Sequence, residues 1–548
     1  MVEKIETICV ALAFMILLGL GCQTRAEEPL HKTIDRLIEV GTSNFRQSAA
    51  PLSDDAQFLR RVYLDLTGVT PTAIQARAFL DDTAADKRAK LIDTLLASPA
   101  YASHLTNIYS VLLLDRRGPK VRESAEQWNA FLRDAFAADK PWDQIARQIL
   151  GADGVDPATV GPARFYLDRE GEKDRITRDV GRVFLGVDLT CAQCHDHLRV
   201  KEWKQETYFG LQAFFVRSSL FEDKTRKTFV YAEEADGEVT FESVFDIRDK
   251  KSPGPQTTGP KLFNVVMPAE PKLSKDEAYV VKPAEGVAPV PRFSRRSQLP
   301  VVMTSKDNRQ FARTAANQLW WIAMGRGIVH PIDQDSSRNP ASHPQLLDAL
   351  TDALIASEYR IKPMLRQMLL SETYQRSSRA SQPAAPSQTH NEATFAAAIL
   401  KPLTPEQLAQ AVLQATGELE SLAKDPKKLE EFERNFVRYF AGIPGDPQDY
   451  DYEATVEQAL YLANDNRLND AFGKRGANLT ARLDKMDPAK PDAIAEELFL
   501  SVLTRKPTDT EAKMVADHLE GSKEKIRTSL ISELVWALVT SAEFRFNH

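Results

Sequence analysis

The sequence predicts a mainly α protein of two helical domains with a small β-rich insertion between them. Three observations carry this. Apolar residues recur at helical spacing across residues 31–217 and again across 301–548. Residues 218–300 instead alternate apolar and polar positions and break into Pro/Gly-rich loops. The chain of 548 residues is too long for one ordinary core. With 43% hydrophobic and 27% charged residues it has a folded, not a disordered, composition. The net charge of -7, with no basic stripe among aromatics, gives no reason to expect nucleic acid as a partner.

Residues 1–26 read as an export signal. The apolar run Ile8–Leu20 has the length of a signal core and falls short of the roughly 20 residues a spanning helix needs. Its leading charge is weak, because Glu3 and Glu6 offset Lys4. Two ends are open: cleavage after Thr24-Arg25-Ala26, or lipidation of Cys22 behind Leu20-Gly21, although Gly19 stands where such signals usually carry leucine. The expectation is an extracytoplasmic protein, in the periplasm or cell envelope, touching membrane only through a lipid at Cys22.

Helices follow. Phe58, Val62 and Leu66 mark one, ending at Gly68, and Thr70-Pro71-Thr72 opens the next with Pro71 in its first turn. Leu91, Leu95 and Leu96 mark another, and Lys140-Pro141 splits a further pair. Ile176, Val180, Val183 and Phe184 line a helix that runs to Gly186. The insertion reads as a small β hairpin or sheet, with Asp236-Gly237 at the turn. Beyond Asn308, Phe311, Ala315 and Leu319 share a helix face that ends at Gly325, and Ser342 with Gln345 makes a capping-box pattern. Asp54-Asp55 and Asp81-Asp82 read as caps, and Trp320-Trp321 as core. Gly-rich phosphate loops, GxSxG and HExxH are absent from the sequence.

Between two of these helices lies CAQCHDH, residues 191–197. CxxCH is the attachment pattern of c-type haem: Cys191 and Cys194 would hold the porphyrin and His195 would ligate the iron. Cys191, Cys194, His195 and His197 are equally the ligand types of zinc or another metal. A CxxC disulfide is the third reading. His197 is too close to His195 to ligate the opposite face of one iron, and reads as a loop or capping histidine. Asp196 reads as a helix-end carboxylate or as an orienting partner for a ligating histidine. Met267, Met303, Met324, His104 and His343 are sixth-ligand candidates, each more simply core, loop or cap. Arg178 and Arg182 stand where they would meet haem propionates, or sit as helix-face charges.

The stretches FLRRVYLDLTGVTPT, RVFLGVDLTCAQCHDH and NRQFARTAANQLWWIAMGRGIVHPID resemble the planctomycete cytochrome-c-like family, whose two halves are catalogued as domains of unknown function. So do SHPQLLDALTDALI, LSETYQRSS, PLTPEQLAQAV, VEQALYLAN and WALVTSAEFRFNH. The resemblance implies an exported protein with CxxCH in its first half and a mostly helical second half, and implies no established reaction. The chain departs from the family's HDHPF at Leu198-Arg199, and from its Asn-Arg-x-Trp at Asn317-Gln318-Leu319-Trp320. The expectation is a haem c protein in electron transfer or another redox role at the cell envelope, acting with a redox partner protein or other envelope proteins. The alternative is a helical scaffold or binding module whose CAQCHDH loop holds zinc or a disulfide.

Overall fold

Helix Asp55–Thr67 shows why the fold needs two cores. Eleven of its thirteen residues are buried, so it has no solvent face. Phe58, Leu59, Val62, Tyr63 and Leu66 pack in a first core, while Leu64 packs in a second. A helix buried all round must also satisfy its charged residues internally. Arg60 donates to the carbonyls of Phe544 (2.7 Å) and Val502 (3.4 Å), and Arg61 to those of Tyr374 (2.5 Å) and Arg376 (2.8 Å). Asp54 caps the helix by accepting the Gln57 N–H at 2.8 Å.

This computed structural model describes residues 28–116, 123–224, 227–245, 254–379, 392–441, 455–521 and 524–548. The export signal, with Cys22, lies outside the described residues. The fold is mainly α, and each sheet among the described residues has only two strands. The first core gathers the helices from Leu30–Gly41 to Lys173–Leu185. Helices Arg309–Met324, Pro344–Ala356 and Ile361–Leu370 return to that same core. The second core is built from residues 403–544, apart from Leu64. No helix among the described residues is long and apolar enough to cross a membrane.

The insertion holds three of the two-stranded sheets, as expected, but Asp236-Gly237 is not a hairpin turn. Strand Thr228–Glu233 pairs backwards with Ser218–Asp223, and Val239–Phe241 pairs forwards with Gln256–Thr258. Asp236-Gly237 therefore joins two strands that pair with other strands and not with each other. The reason lies in the arginines this segment holds. The Gly237 carbonyl accepts from Arg217 (3.0 Å) and Arg295 (3.1 Å). Both guanidiniums also bind Glu238 and Glu270. Satisfying two buried arginines outweighs closing a short ladder there.

Two helix starts also differ from expectation. Thr72, not Thr70, is the cap, in a capping box with Gln75, which leaves Pro71 before the helix. Ser342 does not cap helix Pro344–Ala356; its hydroxyl donates to the Ile328 carbonyl at 3.2 Å. A tertiary partner has displaced the local one. Gly68, Gly186 and Gly325 end their helices in the left-handed conformation, as their positions predict.

Candidate cofactor site at the CAQCH loop

The loop is pinned at both ends by apolar side chains. Val187 and Leu189 are buried before it, and Val200 and Trp203 after it. Cys191–Gln193 form one 3₁₀ turn, with Ala192 buried. In a 3₁₀ turn residues three apart eclipse one another. Burying Ala192 therefore turns Cys191 and Cys194 outward on one face, and both thiols are free and exposed.

The two histidines have opposite proton arrangements. Nδ1 of His195 lies 2.7 Å from the Asp196 carbonyl oxygen. A carbonyl only accepts, so this nitrogen carries the proton. Neutral His195 then has a bare Nε2, to which no described residue donates. Nδ1 of His197 accepts the N–H groups of Arg199 (3.1 Å) and Val200 (2.9 Å). It is therefore the bare nitrogen of that ring, and in neutral His197 the proton sits on Nε2. The ring packs edge-on against Trp203, with centroids 5.3 Å apart. Asp196 accepts the Gln205 N–H at 2.8 Å, at the start of helix Gln205–Gln212, and so is a helix-end carboxylate.

The insertion supplies neighbours that no local sequence signal could reveal. The Val244 N–H donates to the Cys194 carbonyl at 3.0 Å, and the Phe245 ring lies 4.7 Å from that of His195. Val244, Phe245 and Leu198 are exposed, which leaves apolar surface around the thiols. Glu202 ties the loop to the segment before helix Pro344–Ala356. Burial pushes its carboxyl up, but the Ser337 N–H (2.6 Å) and hydroxyl (3.0 Å) outweigh this and hold it below the usual range.

Arg182 is not an exposed helix-face charge but is held by three carboxylates. It is largely buried among Asp115 (3.5 Å), Asp179 (3.7 Å) and Asp333 (3.2 Å). Arg178, one turn earlier, is half-buried. Among the sixth-ligand candidates, His343 meets Thr42 at 3.1 Å and packs on Phe395. Met303 accepts from Asn308 at its sulfur (3.7 Å) and at its carbonyl (2.7 Å). Met267 and Met324 pack with the first core. His104 lines a cavity away from the turn, together with Asp65 and Lys401. Trp320 is fully buried and Trp321 borders that same cavity.

The donor set fits a covalently held haem: two outward thiols on one face, followed by a histidine with a bare Nε2. It fits a small metal less well. Among the described residues no three His, Cys, Asp or Glu side chains are gathered as a metal ion would need. His197 would have to break two hydrogen bonds to offer Nδ1.

Fold and loop together define a mainly helical protein that displays a CxxCH turn on its surface. Residues 33–219, which include that turn, match the family described as PSCyt2, a protein of unknown function (DUF1549). Residues 295–439 match PSD1, a protein of unknown function (DUF1553). The chain thus carries this pair of domains of unknown function. No curated protein and no solved structure matches it.

Proposed function

We propose that the chain is an exported, cytochrome-like protein of the planctomycete kind, which carries one haem c at CAQCH and moves electrons at the cell envelope. The observation that carries this reading is the pairing of two free, outward thiols with a His195 whose Nε2 is bare. In attachment each thiol S–H adds across a vinyl C=C of the porphyrin. A C–S bond forms, the thiol proton ends on the neighbouring vinyl carbon, and no oxidant is consumed. His195 would ligate the iron through Nε2, while Nδ1 keeps its proton and donates it to the Asp196 carbonyl, a contact that orients the ring and raises its basicity. The exposed Leu198, Val244 and Phe245 offer apolar surface to a porphyrin edge or to a redox partner protein.

Elemental analysis of the chain, produced in a host that matures c-type cytochromes, tests the reading against its alternative. Iron at about one per chain, lost in Cys191→Ala and Cys194→Ala, supports it. Stoichiometric zinc instead, lost in Cys194→Ala or His197→Ala, would make the loop a structural metal site on a helical scaffold.

A further inference from the structure

A second site lies where the two cores meet. A cavity of about 420 Å³ is lined by residues from five separate parts of the chain. That volume falls within the roughly 300–1,000 Å³ typical of small-molecule sites. Its hub is Asp65. One carboxylate oxygen accepts from Lys401 and from Asn547 (2.7 Å), and the other from the Tyr374 hydroxyl (2.9 Å). Two helix-ending glycines make room for the lining. A Cβ on Gly68 would fall 2.5 Å from Nδ1 of His104, and one on Gly325 would fall 2.6 Å from Cδ of Lys401.

Several polar groups on this wall have no protein partner to spend their hydrogen bonds on. Asn547, 2% exposed, uses its amide N–H on Asp65, and its Oδ1 has no partner. His330 Nδ1 is buried and also lacks one. No described residue hydrogen-bonds the ring of His104, which is 6% exposed. Burial and neighbouring cations hold both rings neutral, His104 at about 3 and His330 at about 4. Each neutral ring offers one donor and one acceptor. Lys401 spends two of its three donors, on Asp65 and on the Ala323 carbonyl at 3.1 Å. The wall thus keeps both donors and acceptors unspent, on Lys401 and on two neutral rings.

That balance selects the ligand. A carboxylate or phosphate accepts only and would leave the bare imidazole nitrogens of His104 and His330 unsatisfied, which is costly when buried. The formal charges also cancel, since Asp65 meets Lys401 and Glu392 faces Arg326 at 3.8 Å. Hydroxyl groups donate and accept at once. Trp321, beside them in the wall, provides an aromatic surface for the apolar face of a ring. We propose that this cavity binds a neutral polyhydroxylated ligand of mono- or disaccharide size. The inference is independent of the haem reading, because no residue of CAQCH takes part.

Calorimetric titration of the whole chain with glucose, galactose, mannose, xylose, cellobiose and lactose, each to about 10 mM, tests it. Sodium hexanoate is the anionic comparison. At least one sugar is expected to bind, and to weaken about tenfold or more in His330→Phe and in Trp321→Leu. Circular dichroism checks that both variants fold. If neither does, saturation-transfer NMR on the unaltered chain decides, by whether sugar ring protons receive magnetisation from the protein. Hexanoate binding without sugar binding would overturn the proposal in favour of an anion site. Sugar affinity unchanged in both folded variants would place any binding elsewhere. No binding at all would leave a cavity filled only by water, and the proposal would fall.

Discussion

His195 and Asp196 are neighbours whose contact decides the chemistry of the loop. The imidazole of one donates to the carbonyl of the other across 2.7 Å, and this fixes which ring nitrogen is bare. Two residues on, His197 is wired the other way, with Nδ1 accepting two backbone N–H groups of its own turn. The two histidines of CAQCHDH are therefore bonded differently: His195 leaves Nε2 bare, and His197 shapes the loop.

Substitution should tell the two rings apart. His195→Ala is expected to leave attachment through the thiols possible while removing the axial imidazole, so the absorption spectrum of the product changes. His197→Ala is expected to keep the spectrum of the unaltered protein. It should lower unfolding stability by about 1–3 kcal/mol, because the N–H groups of Arg199 and Val200 lose their acceptor. Urea denaturation followed by circular dichroism checks the second outcome. A spectral change in His197→Ala at unchanged stability would contradict the division.

Arg182 is expected to be structural. Replacing it with Met removes the cation that Asp115, Asp179 and Asp333 share in a largely buried setting, although Asp179 keeps Arg169 at 2.6 Å. The loss should be about 3–5 kcal/mol in denaturant unfolding, with little effect on any bound chromophore. A full-strength fold with an altered chromophore would show that the arginine serves the site instead.

The Asp65 hub ties Lys401 and the penultimate residue, Asn547, to helix Asp55–Thr67. Asp65→Ala should cost about 3–5 kcal/mol, since it strands the Lys401 ammonium. The double change Asp65→Ala with Lys401→Met should cost less than the sum of the two single changes. Unfolding midpoints of all four proteins measure this. Strict additivity would mean the pair is not coupled.

The buried histidines set a pH dependence. His104 and His330 titrate at about 3 and about 4 in the folded chain. Unfolded histidine titrates near 6.5. Between those values the unfolded state binds more protons, so stability is complete above about pH 6.5 and falls as pH drops towards 4 and then 3. Urea midpoints from pH 7.5 down to about 4.5 should decline, and less steeply in His330→Gln. A flat profile over that range would contradict the burial of these rings.

How far the sequence could be read depended on whether a signal was local. The helices that end at Gly68, Gly186 and Gly325 were legible, because apolar spacing and a left-handed glycine act within a few residues. The Asp236-Gly237 turn and the Ser342 cap were misread. Arg217 and Arg295 claim the first from elsewhere in the chain, and Ile328 claims the second. At the site, CAQCH was conspicuous as a string, but the roles of its two histidines lie in hydrogen bonds that a string does not show. Phe245 reaches His195 from the insertion, some fifty residues on, with nothing in its own surroundings to mark it. The cavity at Asp65, Lys401 and Asn547 was invisible for the same reason: its parts meet only once both cores are packed.

The most direct test of the central claim is a haem stain on the denatured chain. The protein is produced in a host that matures c-type cytochromes and run on a denaturing gel, where only covalently held haem survives. A stained band at the full chain, absent from the Cys191→Ala, Cys194→Ala double variant, is the predicted result. An unstained band from folded, exported protein would contradict it.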